Sequence, residues 1–377
     1  MRKTAKLLPM LQALATMLTA ATVPPAFAVD AAIQSTTTPQ PGSIPLSGAL
    51  TDKSAWRAYK ARFVTEQGRV VDTGNALISH SEGQGYGLLL AVAANDRDAF
   101  EKIWGWTRAN LMVRGDELMA WRWEPDARPA VADMNNASDG DLLVAWALAE
   151  AGEAWSDASY RVAARRVAVE LGRKLILPKT PHGALLLPAV SGFAAEDRAD
   201  GPVINLSYWV FPALERLSSA ASEFDWGALT RSGLQLLERA RFGTGKLPGE
   251  WLGLREAEPK PAQGFAATFS YNAIRIPLYL AWAGLGNTDD YAPFLSLWAQ
   301  RPARGLPIVD TADGRSIASL GESGYAAVAD LTACAAKGTK LPASFRTVRF
   351  SENYYPVTLH LFAQIAVQMR YQSCLNG

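Results

Sequence analysis

A glutamate set among glycines, Ser81-Glu-Gly-Gln-Gly-Tyr-Gly87, is the stretch of this 377-residue chain whose residue types most directly suggest chemistry. Glycines at 83, 85 and 87 superficially resemble a phosphate-cradling loop. The spacing is G-x-G-x-G, however, with no strand expected ahead of it and no P-loop lysine after it, which argues against a nucleotide site. Lacking Cβ atoms, these residues let backbone and ligand approach closely. Glu82 at that opening has two readings, a cap favoured by the helix dipole or a group that reacts. A second acidic cluster, Asn135-Asn-Ala-Ser-Asp-Gly-Asp141, ends in two carboxylates at the head of an apolar helix. Asp139 or Asp141 could serve as an N-cap, yet two acids exceed what a cap requires. Desolvation beside a neighbouring charge raises a carboxyl pKa toward neutrality, and an acid of that kind can protonate a departing glycosidic oxygen.

Aromatic side chains would supply the other half of a sugar site, because the axial C–H faces of pyranose rings pack well on aromatic faces. Twelve tryptophans is a generous number for that purpose. Trp121-Arg-Trp123 and Tyr208-Trp209 are the platform candidates, whereas Trp104, Trp106 and Trp146 fall at helical spacing and read as core. His80, His182 and His360 lie far apart without Cys or carboxylate companions at ligand spacing, so no zinc site or other metal cofactor is expected. For Cys334 and Cys374, a disulfide and two buried thiols remain equally open.

These clusters need a scaffold, and apolar residues recurring at helical spacing supply one. Helices are expected over 55–64, 85–94, 97–111, 139–151, 157–175, 207–220, 226–240, 271–283, 290–299, 324–336 and 355–370, with almost no strand. Some are apolar nearly all round, as at Leu142-Leu-Val-Ala-Trp-Ala-Leu-Ala149, whereas 157–175 carries a charged face with Arg161, Arg165, Arg166 and Glu170. That contrast separates fully buried helices from half-solvated outer ones. The polar clusters sit at the starts of the apolar helices, which suggests inner helices whose ends converge.

At the N-terminus, Arg2, Lys3 and Lys6 precede an apolar run and then Ala26-Phe27-Ala28, the pattern of a cleavable secretory signal ending at Ala28. Residues 29–46, rich in Thr, Pro, Ser and Gln, read as a flexible leader, and 47–377 as one large catalytic domain. A periplasmic or secreted protein without stable membrane insertion is expected, since no segment offers about 18 uninterrupted apolar residues. A formal net charge of +1 gives no global field for nucleic acid or anionic lipid.

The order of His80-Ser-Glu-Gly-Gln-Gly-Tyr-Gly87, Asn135-Asn-Ala-Ser-Asp-Gly-Asp141, Ser207-Tyr-Trp209 and Ser270-Tyr-Asn-Ala-Ile-Arg275 closely resembles glycoside hydrolase family 8. The likeness is strongest to members encoded with bacterial cellulose synthase, and it runs from about residue 55 to 366. It implies an all-α (α/α)6 toroid, a cleft across the inner helix ends, and endo-hydrolysis of β-1,4-glucan with inversion. A cellulose synthase complex becomes a candidate partner. By the same resemblance Glu82 matches the general acid, Asp139 the carboxylate beneath the sugar, and Tyr208 a tyrosine near the attacking water. Trp121 matches a stacking residue, and Tyr271 and Arg275 flank the catalytic-base position. That position departs from the pattern, because many members carry aspartate where this chain has Asn272. A neutral amide cannot accept the proton. Asp139, Asp141, Asp133 and Glu250 remain as candidate bases. A chitosanase or xylanase of the same family, and a catalytically weak glucan-binding component of an export apparatus, are the rival readings.

Overall fold

The computed structural model describes residues 45–299 and 305–375. The signal segment and nearly all of the expected leader therefore lie outside the described residues. Leu46, at the leader's end, is already buried against the core, and Gly48 N–H donates to Ala93 C=O at 3.0 Å.

Among the described residues there are eleven α-helices: α1 Lys53–Phe63, α2 Ser81–Ala93, α3 Arg97–Asn110, α4 Ser138–Ala154, α5 Ala158–Leu175, α6 Phe211–Ala220, α7 Trp226–Arg239, α8 Arg275–Ala283, α9 Thr288–Trp298, α10 Ser323–Lys337 and α11 Tyr354–Arg370. Packing runs α2 on α4, α4 on α6, α6 on α8, α8 on α10, α10 on α11, and α11 back on α2, which closes a ring. Helices α2, α4, α8 and α11 are buried over most of their circumference, as the apolar sequence of each demands. The outer helices α3, α5 and α7 bury a single face. One core built from these faces runs from Leu46 to Val367.

Capping follows the same division. Every outer helix starts on an Asp or Asn whose side chain accepts backbone N–H groups: Asp52 for α1, Asp96 for α3, Asp157 for α5, Asp225 for α7 and Asn287 for α9. Helices α4, α6, α8, α10 and α11 have no such N-cap bond, and α2 uses the ring nitrogen of His80 instead. The first N–H groups of the ring helices are thus left to partners other than an N-cap side chain, as when Glu352 accepts from Ser323 and Gly324 of α10, and these ends carry the positive end of the helix dipole. The reactive clusters stand at those ends.

Small antiparallel sheets decorate the ring, contrary to the expectation of almost no strand. β1 (Ser79–His80) pairs with β2 (Arg122–Trp123), and β3 (Ile176–Thr180) with β4 (Gly183–Leu186). β5 (Val203–Asn205), β6 (Trp251–Gly253) and β7 (Lys260–Pro261) form one three-stranded sheet. β8 (Thr268–Phe269), β9 (Leu306–Asp310) and β10 (Ser316–Leu320) form another. Strands of two to five residues carry too little periodicity to register as alternation. A strand therefore does precede the glycine run, although Ser79–His80 is far shorter than the strand of a nucleotide-binding unit.

Candidate active site

Arg275, the first residue of α8, gathers the site. Its guanidinium is almost inaccessible, at 1% exposure, and Nη1 donates both to Glu82 Oε2 and to Asp139 Oδ2, the latter at 3.0 Å. Nη2 donates to Ser207 Oγ and to Asn272 Oδ1, each at 3.0 Å. A buried cation is tolerated only when its charge and its N–H groups are matched, and two carboxylates plus two neutral acceptors do this here. Residues from the heads of α2 and α4, from the turn before α6 and from the turn before α8 thereby meet on one side chain. The guanidinium carbon also stands 5.7 Å from the Tyr208 ring centroid.

Glu82 lies in the first turn of α2 and keeps 17% of its side chain accessible. That placement depends on close helix contact, because α2 begins at Ser81, four residues earlier than the glycine run suggests. A Cβ at Gly85 would come within 2.6 Å of Leu143 Cβ, so glycine is required where α2 crosses α4. His80 fixes the start of the turn: its Nδ1 accepts from Gly83 N–H at 3.0 Å and its Nε2 is 3.4 Å from Asp72 Oδ2.

Asp139 is 2% exposed and accepts the Gly140 N–H at 2.8 Å. Burial pushes its carboxyl up to about 7, against the lowering by that N–H and by His80. Asp141 is fully buried and is likewise pushed up to about 7 by burial. It accepts from Met119 N–H at 2.9 Å and Asn136 Nδ2 at 2.7 Å, tying the preceding loop to α4. Asp133 lies on the surface, where it accepts from Trp121 Nε1 at 2.8 Å and Asn135 N–H at 2.9 Å.

Asn272 lies in the turn ahead of α8, so the helix expected from 271 starts at Arg275. Its amide is held from both ends: Oδ1 accepts from Arg275 Nη2, and Nδ2 donates to Glu250 Oε2 at 3.1 Å. Glu250 Oε1 accepts Asn272 N–H at 2.8 Å and Ala273 N–H at 3.4 Å. Among the four candidate bases, Asp139 and Glu250 therefore adjoin this network, Asp141 anchors a loop, and Asp133 steadies a tryptophan.

The aromatic candidates divide. Trp121 is half-buried, with Arg122 5.6 Å from its ring and its indole N–H fixed on Asp133. Tyr208 is half-buried, and burial together with the charges of Asp139 and Glu250 drives its phenol well above the usual range. Tyr271 is 51% exposed beside Tyr325, and its carbonyl accepts from Tyr355 Oη at 2.7 Å. Trp209 is not a platform. Only 1% of it is exposed and its Nε1 donates to Leu229 C=O at 2.9 Å, because α6 starts at Phe211, next to Pro212, and the preceding turn points inward. Sequence reasoning missed Ser207 as a partner of Arg275, and the Ser207-Tyr-Trp motif was its available signal. Phe193 and Phe265, which sandwich Trp251, carried no signal at all.

The profile described as "Glycosyl hydrolases family 8" matches residues 23–369. A probable endoglucanase of Novacetimonas hansenii is 36% identical over 314 residues, covering 82% of this chain and 89% of that protein. An endoglucanase of Cellulomonas uda is 38% identical over 247 residues, 65% of this chain and 66% of its own. Among solved structures, the family 8 endoglucanase Cel10 from Klebsiella pneumoniae superposes with a TM-score of 0.75 at 34% identity, covering 84% of this chain and 99% of that one. The endo-beta-1,4-glucanase CMCax from Acetobacter xylinum gives 0.76 at 34% identity, over 86% and 99%. The ring of helices is accordingly an (α/α)6 barrel.

Proposed function

Because the chain belongs to glycosyl hydrolase family 8, we propose that it hydrolyses β-1,4-glucan inside the chain, with inversion at the anomeric carbon. The observation that carries this reading is the convergence of Glu82, Asp139, Ser207 and Asn272 on Arg275 at the N-terminal ends of the ring helices. Glu82 acts as the general acid on the departing O4, and its partial accessibility is what a group meeting substrate needs. Asp139 sits beneath the sugar at the cleavage point, Tyr208 faces the attacking water, Arg275 orients both carboxylates, and Trp121 and Tyr271 flank the chain. The substrate is cellulose or a related glucan, with a cellulose synthase complex as the candidate partner and the periplasm or exterior as the compartment. The apolar start of the sequence and the Cys334–Cys374 disulfide both suit an oxidising, extracytoplasmic location. Among the described residues no helix is long and apolar enough to cross a membrane.

Glu82→Gln tests the assignment, since the amide keeps the shape but has no proton to give. Turnover on carboxymethylcellulose should fall by a factor of about 10² to 10⁴ while retention on amorphous cellulose is unchanged. More than about a hundredth of wild-type turnover would remove Glu82 from the role of acid. The missing carboxylate at Asn272 favours one second reading, a glucan-binding component with weak catalysis. Retention of the wild type on cellulose without reducing-end release would establish that reading instead.

A further inference from the structure

An inverting hydrolase needs a carboxylate to take a proton from the attacking water, and Asn272 cannot do so. Asp139 is paired closely with the acid itself. Its Oδ2 and Glu82 Oε2 both accept from Arg275 Nη1. Two oxygens bonded to one nitrogen lie within roughly 6 Å of each other, whereas inversion places acid and base about 6.5–9.5 Å apart to admit the water. Asp141 and Asp133 are spent on a loop and a tryptophan, as described above.

Glu250 stands on the other side of the guanidinium, linked to Nη2 through the Asn272 amide. Of the roughly four acceptor positions of an ionised carboxylate, Asn272 N–H, Asn272 Nδ2 and Ala273 N–H occupy three. One position on Oε2 is left to receive a proton. Glu250 is 9% exposed, more than Asp139 or Asp141, and its negative charge bears on the Tyr208 phenol together with that of Asp139. Its backbone is rigid as well. Glu250 N–H donates to Thr268 C=O at 3.1 Å, Trp251 pairs with Asn205 in the β5–β6 sheet, and the Trp251 ring is stacked between Phe193 and Phe265. A base held this tightly is preorganised.

Resting on the reading of the protein as an inverting glucanase, we infer that Glu250 is the general base and that Asn272 is the positioning residue that holds it. Water attacks C1 as the C1–O4 bond breaks. The bond pair leaves on O4, which takes the proton of Glu82, and the water's proton passes to Glu250 Oε2. Solvent then resets both carboxyl groups.

The wild type on cellohexaose, followed by NMR of the fresh reducing end, comes first. No cleavage would defeat the proposed function itself, whereas cleavage giving the β-anomer would leave a glucanase but overturn the base assignment, pointing to Asp139 as a nucleophile. With the α-anomer observed, Glu250→Gln should lose about 10² to 10⁴ of kcat, and sodium azide should revive it. Azide attacks without shedding a proton, so the product is the α-glycosyl azide. Retention of more than about a hundredth of kcat, or a loss that azide does not revive, overturns the proposal. Asn272→Asp decides independently should Glu250→Gln fail to fold. Its new carboxylate meets that of Glu250, and two such groups hold a proton between them, so the acid limb of kcat/KM should move to higher pH without a gain in kcat. A rise in kcat would return the base to position 272.

Discussion

At the scale of single residues, Asp141 and Asp139 are neighbours of one kind with different duties. Asp141 carries a proton in the folded protein up to about pH 7, while the same group in the unfolded chain titrates near its ordinary 3.8. The folded state therefore binds more protons than the unfolded state between about pH 4 and 7, and Asp141's contribution to stability is fully present below that window and lost as pH rises through it. Asp141→Asn removes this titration. It should be destabilised at pH 4, where its amide opposes Asn136 Nδ2, and the deficit relative to the wild type should shrink by pH 7.5. Paired urea titrations at both values check this, and a constant deficit would mean that Asp141 stays ionised. The acidic cluster itself was legible in the sequence because two acids with one glycine between them are more than a cap needs. Its division of labour was not, because Met119 and Asn136, the partners that consume Asp141, belong to a loop whose path no local pattern encodes.

At the scale of elements, the crossing of α2 and α4 sets where Glu82 stands. Gly140 faces the start of α2 so closely that a Cβ there would overlap Ser81 Oγ and come within 2.7 Å of Glu82 N. Gly140→Ala must push the two helix ends apart, at an overpacking cost of about 1–3 kcal/mol. A shift of about 1 Å at a catalytic group can cost 10²-fold in rate, so kcat should fall by about that factor while the variant remains folded. Gly105→Ala on outer helix α3, where nothing lies within 4 Å, is the control and should leave kcat unchanged. Equal activity in Gly140→Ala would mean that Glu82 tolerates displacement. The helices were legible from apolar spacing, and the inner-outer division from how many faces are apolar. Their starts were not. The glycines at 83 and 85 weigh against helix by propensity, yet packing selects them, Gly85 against Leu143 of α4 and Gly83 against Tyr354 and His80, and the motif residues at 207–208 and 271–272 fall in turns because they serve Arg275 and Glu250 rather than a helix.

At the scale of the molecule, the last two helices of the ring, α10 and α11, are joined by a segment with little regular structure. Gly338, at φ +65°, ends α10, and residues 338–353 form only one short 3-10 turn, Ala343–Arg346. Three devices pin this segment: Phe345 C=O accepts from Gln364 Nε2 at 2.9 Å and bonds His360 Nε2 at 2.7 Å, Leu341 N–H donates to Cys374 C=O at 3.0 Å, and a disulfide joins Cys374 to Cys334 near the end of α10. The bond spans 40 residues and encloses the whole of α11. In the chain-entropy account a loop of that length removes about 4 kcal/mol of freedom from the unfolded state. Reduction, or the pair Cys334→Ala and Cys374→Ala, should accordingly lower the unfolding free energy read from urea titration by an amount approaching that value, and the urea midpoint with it. Turnover at 25 °C should stay near wild type, because Cys334 lies near the C-terminal end of α10, about 16 Å of helix from the end that adjoins the site. An unchanged midpoint would mean that the hydrogen bonds to Phe345 and Cys374 close the barrel alone. A parallel fall in midpoint and turnover would instead mean that closure at this seam is transmitted to Glu82 through the contact of α11 with α2.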